Sequence, residues 1–206
     1  MEMQGTRPLA VTQEQAWEAL NDPQVLKQCI PGCDKIEPAG EGQYAVGIAV
    51  KVGPVSAKFN GKIALSEVVA PDSYTLTFDG QGGAAGFGKG VSKVRLSAQP
   101  DGPGCVLDYQ VQAQVGGKIA QVGQRLIDGV ARSMAEDFFK RFDAQMRRLH
   151  PEAYAQAESA AAETAVMAGG AVPFAALPPA GRSGLPTWTW MVALALAVLL
   201  AVWLLR

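Results

Sequence analysis

Between Tyr44 and Val115 apolar side chains recur on every second position, in run after run. Tyr44, Val46, Ile48, Val50 and Val52 alternate with small or polar neighbours. A Gly53-Pro54 turn follows, and Val55, Ala57, Phe59, Gly61, Ile63 and Leu65 then alternate with Ser56, Lys58, Asn60 and Lys62. Tyr74, Leu76 and Phe78 continue the pattern, then Val94 and Leu96. The cleanest run sets Cys105, Leu107, Tyr109, Val111, Ala113 and Val115 against Asp108, Gln110, Gln112 and Gln114. Period two with one polar side predicts antiparallel strands in a sheet with one buried and one wet face.

Helical spacing brackets this region. Thr12 with Gln15 three residues on is a capping box, predicting a short helix through Leu20. Asn21-Asp22-Pro23 opens a second short turn, and residues 2–7 read as a first strand. After Gly116-Gly117 a long helix is expected to about Leu149. Ile119, Val122, Leu126, Val130, Met134, Phe138 and Phe142 fall at three- and four-residue steps along it. The predicted order is a strand, two short helices, a meander of five or six strands and one long helix. A single amphipathic helix laid across a curved antiparallel sheet is the helix-grip arrangement of an α+β fold, which leaves an elongated apolar cavity between the two. The inward stripes nominate Trp17, Val50, Phe59, Phe78, Tyr109, Leu126, Val130 and Met134 as its wall, the same residues that would form a core if no cavity existed.

The end of the chain follows another rule. From Trp188 to Leu205 there is no charge, Gly or Pro. That length is at the low end of the ~17–25 residues a helix needs to cross a bilayer core of about 30 Å. Trp188 and Trp190 at one end, and Trp203 and Arg206 at the other, suit the two interfaces. Residues 188–205 are therefore expected to be a transmembrane helix, with residues 1–150 as the folded domain. Residues 151–187, dominated by Ala, Pro and Gly, read as a linker whose first half could carry a frayed helix. As coil it would reach about 30–35 Å. The amino terminus, with an acid at position 2 and no apolar run, does not read as a secretory signal. The expectation is a single-pass protein of the cytoplasmic (inner) membrane, with its amino-terminal domain in the cytoplasm.

Composition removes several function classes. A net charge of −1 argues against a nucleic-acid partner, which would need a concentrated basic surface. Three cysteines cannot build a disulfide framework. Cys29 and Cys33 lack a second ligand pair and frame a Pro-Gly turn, so no metal site is expected and a tight turn is the better reading. The stretch Gly80–Gly86 superficially resembles a dinucleotide fingerprint, but a strand rather than a helix follows it. It reads either as a mobile flap at a cavity mouth with Phe87 at its tip, or as a plain hairpin loop. The chain's one histidine, His150, ends the long helix, and neither a Ser–His or Cys–His pair nor a carboxylate pair is visible. No catalytic residue is nominated. Lys140, Arg141, Arg147 and Arg148 crowd the end of the long helix, either to complement its dipole in solvent or to meet an anionic leaflet.

Several blocks together carry a family resemblance. They are Asn21-Asp22-Pro23, Cys29-Ile30-Pro31-Gly32-Cys33, Lys51-Val52-Gly53-Pro54-Val55 and Phe59-Asn60-Gly61-Lys62, with Gly86-Phe87-Gly88-Lys89-Gly90, Val115 to Gly123, and Phe138-Phe139. With the hydrophobic tail they resemble the family of the G subunit of carbon monoxide dehydrogenase, over residues 1–145. The wider superfamily this implies is the START-like, polyketide cyclase-related helix-grip group, whose members bind lipids, steroids, quinones and other hydrophobic ligands. The resemblance implies an adaptor, not an enzyme. It would recruit a cytoplasmic molybdenum hydroxylase of the carbon monoxide dehydrogenase type to membrane lipids, with a respiratory quinone or a lipid as the non-covalent occupant of its cavity. A recruitment anchor without ligand, and a cyclase-like or hydrolytic enzyme, are the alternatives.

Overall fold

The structure, a computed structural model, describes residues 1–100, 102 and 104–168. The chain begins with β1 (Glu2–Leu9), α1 (Gln13–Asn21) and α2 (Pro23–Cys29). The strands β2 (Cys33–Gly40), β3 (Gln43–Val52), β4 (Val55–Val69), β5 (Ser73–Gln81), β6 (Phe87–Ala98) and β7 (Cys105–Gly116) follow, then α3 (Gln124–Leu149) and α4 (Pro151–Ala168). All seven strands form one sheet in the order β1-β7-β6-β5-β4-β3-β2, and every pair is antiparallel. The meander from β2 to β7 is thus completed by the first strand, which pairs with the last. α1 and α2 bridge the two edge strands, and α3 lies along the concave face. The arrangement is the α+β helix grip.

Local chemistry explains the short helices. Gln15 N–H donates to the Thr12 hydroxyl at 3.3 Å and Thr12 N–H to the Gln15 side chain at 3.0 Å, closing the capping box. Asp22 ends α1 and caps α2 by accepting from Gln24 N–H at 2.7 Å, with Pro23 in the first turn where no donor is missed.

Three features depart from the sequence expectation. β2 escapes the alternation pattern, because Asp34, Lys35, Glu37 and Pro38 hide it and only Ile36 is buried along it; an edge strand needs no more. The long helix does not start at the Gly116-Gly117 pair. A 3₁₀ turn over Lys118–Val122 intervenes, and Gly123, at φ 96°, breaks the path before α3 begins at Gln124. Ile127, Phe142 and Met146 are the residues α3 buries, and Leu126 is 50 % exposed. Successive four-residue steps drift by about 40° around a helix of 3.6 residues per turn, so a series from Leu126 to Phe142 cannot stay on one face. Finally, α4 is part of the folded unit. Ala153 and Tyr154 are buried against the core, and the Tyr154 hydroxyl donates to the Asp143 carboxylate at 2.6 Å. Arg147 lies 4.6 Å over the Tyr154 ring and pairs with Glu158 at 2.8 Å. The compact unit is Met1–Ala168, past the boundary at residue 150 drawn from composition.

The main core joins α1, α2, the carboxyl half of α3 and α4 to the sheet through Val11, Ala16, Cys29, Cys105, Phe142 and Met146, all fully buried. A smaller cluster of Val52, Phe59, Ile119 and Ile127 closes the other end. Among the described residues no helix is long and apolar enough to cross a membrane; the span expected at 188–205 lies outside them.

Candidate ligand cavity

Between the two cores the sheet carries a strip without side chains. Gly61 of β4 is opposite Gly80 of β5, and Gly80 is opposite Gly88 of β6, all on the concave face. A Cβ added at Gly88 would meet no heavy atom within 4 Å, and one at Gly80 would meet only ordinary contacts from 3.7 Å. Gly80 and Gly88 thus present bare backbone to open space, whereas a Cβ at Gly61 would strike the Asp79 carbonyl and the Gly80 α-carbon of the paired strand. The space left is a chamber of about 360 Å³, within the ~300–1,000 Å³ usual for small-molecule sites. Val50, Phe59, Phe78, Val130 and Met134, nominated from alternation and helix spacing, are among the residues that line it, as is Phe87 from the end of the glycine-rich segment. Its polar members, Lys62, Asp79 and Gln114, are exposed strand positions on its border.

A second chamber of about 250 Å³ continues from the first, sharing Ile30 and Ile63 with it. It runs under α1, α2 and the Phe138–Phe139 turn of α3. Tyr109 belongs here, its ring 5.3 Å from that of Phe139. Tyr44, Tyr74 and Ser92 also line it, residues that the pattern alone does not nominate. Tyr74 alternates with Leu76 and Phe78, which marks it as inward, but nothing in the alternation separates a core tyrosine from a cavity one.

Two nominated residues stand elsewhere. Trp17 does not line either chamber; its ring meets Tyr74 edge-on at 5.6 Å and 73°, bracing the wall from behind. Leu126 lies outside, and Ile127 takes the cavity-facing place one residue on, for the angular reason given above. The glycine-rich segment is a compact turn. Gly82 N–H donates to the Gly86 carbonyl at 2.7 Å, and the Gly82 α-carbon lies beneath the Phe59 ring. Backbone of Gly86 packs directly on Gly116 and Gly117, a closeness that any Cβ there would forbid. Phe87 lies over Gly116 at the rim, one-third exposed.

The titratable groups nearby are quiet. Burial pushes the Cys29 and Cys105 thiols up to about 11, so both stay protonated at neutral pH and are poor nucleophiles. Cys33 is raised as well, chiefly by desolvation. Among the described residues no three His, Cys, Asp or Glu side chains gather as metal ligands. The arrangement can enclose an elongated apolar molecule. Side-chain hydroxyls line it at one end only, in the second chamber.

Residues 5–147 match the model of a family described as the G subunit of carbon monoxide dehydrogenase (CoxG). No curated protein is similar to the chain. Among solved structures, a conserved protein from Geobacillus kaustophilus is 32 % identical with a TM-score of 0.67, covering 72 % of this chain and 96 % of its own. A START superfamily protein from Mycobacterium smegmatis is 12 % identical with a TM-score of 0.55, covering 72 % and 98 %. The Zhui aromatase/cyclase from Streptomyces sp. R1128 is 14 % identical with a TM-score of 0.52, covering 72 % and 95 %. The last two show a shared START-like fold.

Proposed function

The chain belongs to the CoxG family of carbon monoxide dehydrogenase, and from that we propose that it is a membrane-tethered binder of a hydrophobic ligand that serves a molybdenum hydroxylase. The observation that carries this reading is the pair of adjoining chambers, lined by side chains that few functions other than apolar binding would select. The family description, a G subunit of carbon monoxide dehydrogenase, supports an enzyme of that type as the partner, which the chain would bring to the inner face of the cytoplasmic membrane. The apolar run Trp188–Leu205 supplies the anchor. Anchoring raises the local concentration of the pair at the bilayer, where a second contact becomes effectively intramolecular. A respiratory quinone or a lipid held in the chambers would then connect the oxidised substrate's electrons to the membrane pool. The chain itself binds and does not catalyse. Its thiols are protonated and buried or half-buried, and its one histidine is at the α3–α4 junction.

Lipid extraction of the full chain, purified from its own membranes in mild detergent, tests this. A prenyl quinone or lipid close to one per chain is expected, and it should be lost from Gly88→Leu, whose side chain would occupy the first chamber. An empty cavity in the parent chain, with the hydroxylase still held at the membrane, would reduce the protein to an anchor. Hydroxylase that stays on membranes lacking this chain would remove the recruitment role.

A further inference from the structure

The two chambers differ in their polar groups. The first has no Ser, Thr or Tyr in its wall, only Lys62, Asp79 and Gln114 on its border; the second has no charged residue but has Asn21, Tyr44, Tyr74, Ser92 and Tyr109. None of these four hydroxyls has a hydrogen-bond partner among the described residues, although Tyr74 is only 6 % exposed. No sealed side-chain nitrogen or oxygen among those residues lacks a partner. The unpartnered Tyr74 hydroxyl therefore abuts open space, and the chamber its ring lines is that space. Burial disfavours its ionised form and pushes it up to about 12, so it is a neutral donor at physiological pH. Trp17 holds the ring edge-on, limiting where the hydroxyl can point. A buried donor left unmade costs stability comparable to a lost hydrogen bond, so a ligand acceptor there would recover it.

Charge narrows the partner further. No Lys, Arg, His, Asp or Glu lines the second chamber. A carboxylate or phosphate buried there would lack a counter-ion, which is costly in an apolar surround. A neutral carbonyl pays far less and accepts readily from tyrosine. Resting on the ligand-binding reading above, we propose that the ligand enters head-first. Its uncharged carbonyl head accepts a hydrogen bond from Tyr74 in the second chamber, and its hydrocarbon chain lies over the glycine strip in the first. A quinone and an acyl ester share that chemistry.

The test compares hexadecane, methyl palmitate and palmitate, which share a chain length and differ at the head. Full chain in phosphatidylcholine nanodiscs is loaded with each, at mildly alkaline pH where palmitate is ionised, then dialysed against acceptor vesicles. Retained probe is counted against empty discs. Methyl palmitate should be held at least tenfold more tightly than either other probe. Tyr74→Phe, checked by its melting curve, should lower that retention roughly 3–10-fold and leave hexadecane unchanged. Palmitate held as well as its ester, or Tyr74→Phe indistinguishable from the parent, overturns the head-first assignment while leaving hydrophobic binding intact. Hexadecane and the ester retained equally would do the same, and that arm needs no variant. If the parent chain retains no probe above empty discs, the ligand-binding reading fails too. Mass analysis of what the chain carries from its own membranes separates a prenyl quinone from an acyl ester; a phospholipid or fatty acid as occupant would refute the proposal.

Discussion

Gly88 is the residue on which the cavity depends most simply. It is a strand position with no atom within 4 Å of its missing Cβ, so a leucine there fills space rather than forcing backbone apart. Gly88→Leu should lose ligand at least tenfold while its melting temperature stays the same or rises, since glycine weakens a strand; calorimetry beside ligand retention checks both. Phe142, fully buried among α1, α2 and the sheet, is the opposite case. Phe142→Ala should cost about 3–5 kcal/mol in urea unfolding, from lost burial and the cavity left behind. The buried thiols make stability pH-dependent in a stated direction. Unfolded thiols ionise near 9 and Cys29 and Cys105 only near 11, so their contribution is complete below pH 9 and is lost as pH rises toward 11. A double Cys29→Ala, Cys105→Ala variant should unfold with a flatter pH profile over that window. At this scale the sequence was a good guide for Phe59, Phe78 and Val130, whose neighbours alternate or step regularly. It was a poor one for Tyr74 and Leu126. Whether an inward tyrosine meets atoms or space depends on side chains opposite, and where a helix face begins depends on where the helix does.

At the scale of elements, the caps and turns were legible because they are local. Thr12 and Gln15 satisfy each other's backbone within one turn, as Asp22 does for α2. Thr12→Ala should therefore cost about 1 kcal/mol, measured by chemical denaturation. Gly129 is exposed in α3 with no atom within 4 Å of its missing Cβ. Gly129→Ala is expected to stabilise by about 0.8–1 kcal/mol through helix propensity alone. It should also slow ligand exchange, because the amino half of α3 that covers the first chamber buries only Ile127, whereas its carboxyl half is fixed by Phe142 and Met146. β2 and the packing of α4 were not legible. One buried isoleucine among charges reads as loop, and Ala153 and Tyr154 gain their burial from residues of α3 and the distant main core.

For the whole molecule, period-two alternation, two short capped helices and one long amphipathic helix already determined a one-faced antiparallel sheet gripped by a helix. These signals are written in neighbouring residues, and backbone hydrogen bonding with apolar burial leaves few other ways to satisfy them. On the proposed tethered reading, deleting Trp188–Leu205 should move the chain from the membrane to the soluble fraction on cell fractionation, and an unchanged distribution would remove the anchor. Tertiary structure decided the rest. Only strand register aligns Gly61, Gly80 and Gly88 into one bare strip, because glycines that far apart in sequence share nothing until the hairpins pair them. Only packing leaves the Tyr74 hydroxyl beside open space while Trp17 fills the space behind its ring. A cavity is where atoms are absent, and that absence is a sum over many distant side chains, which no single stretch of the chain records.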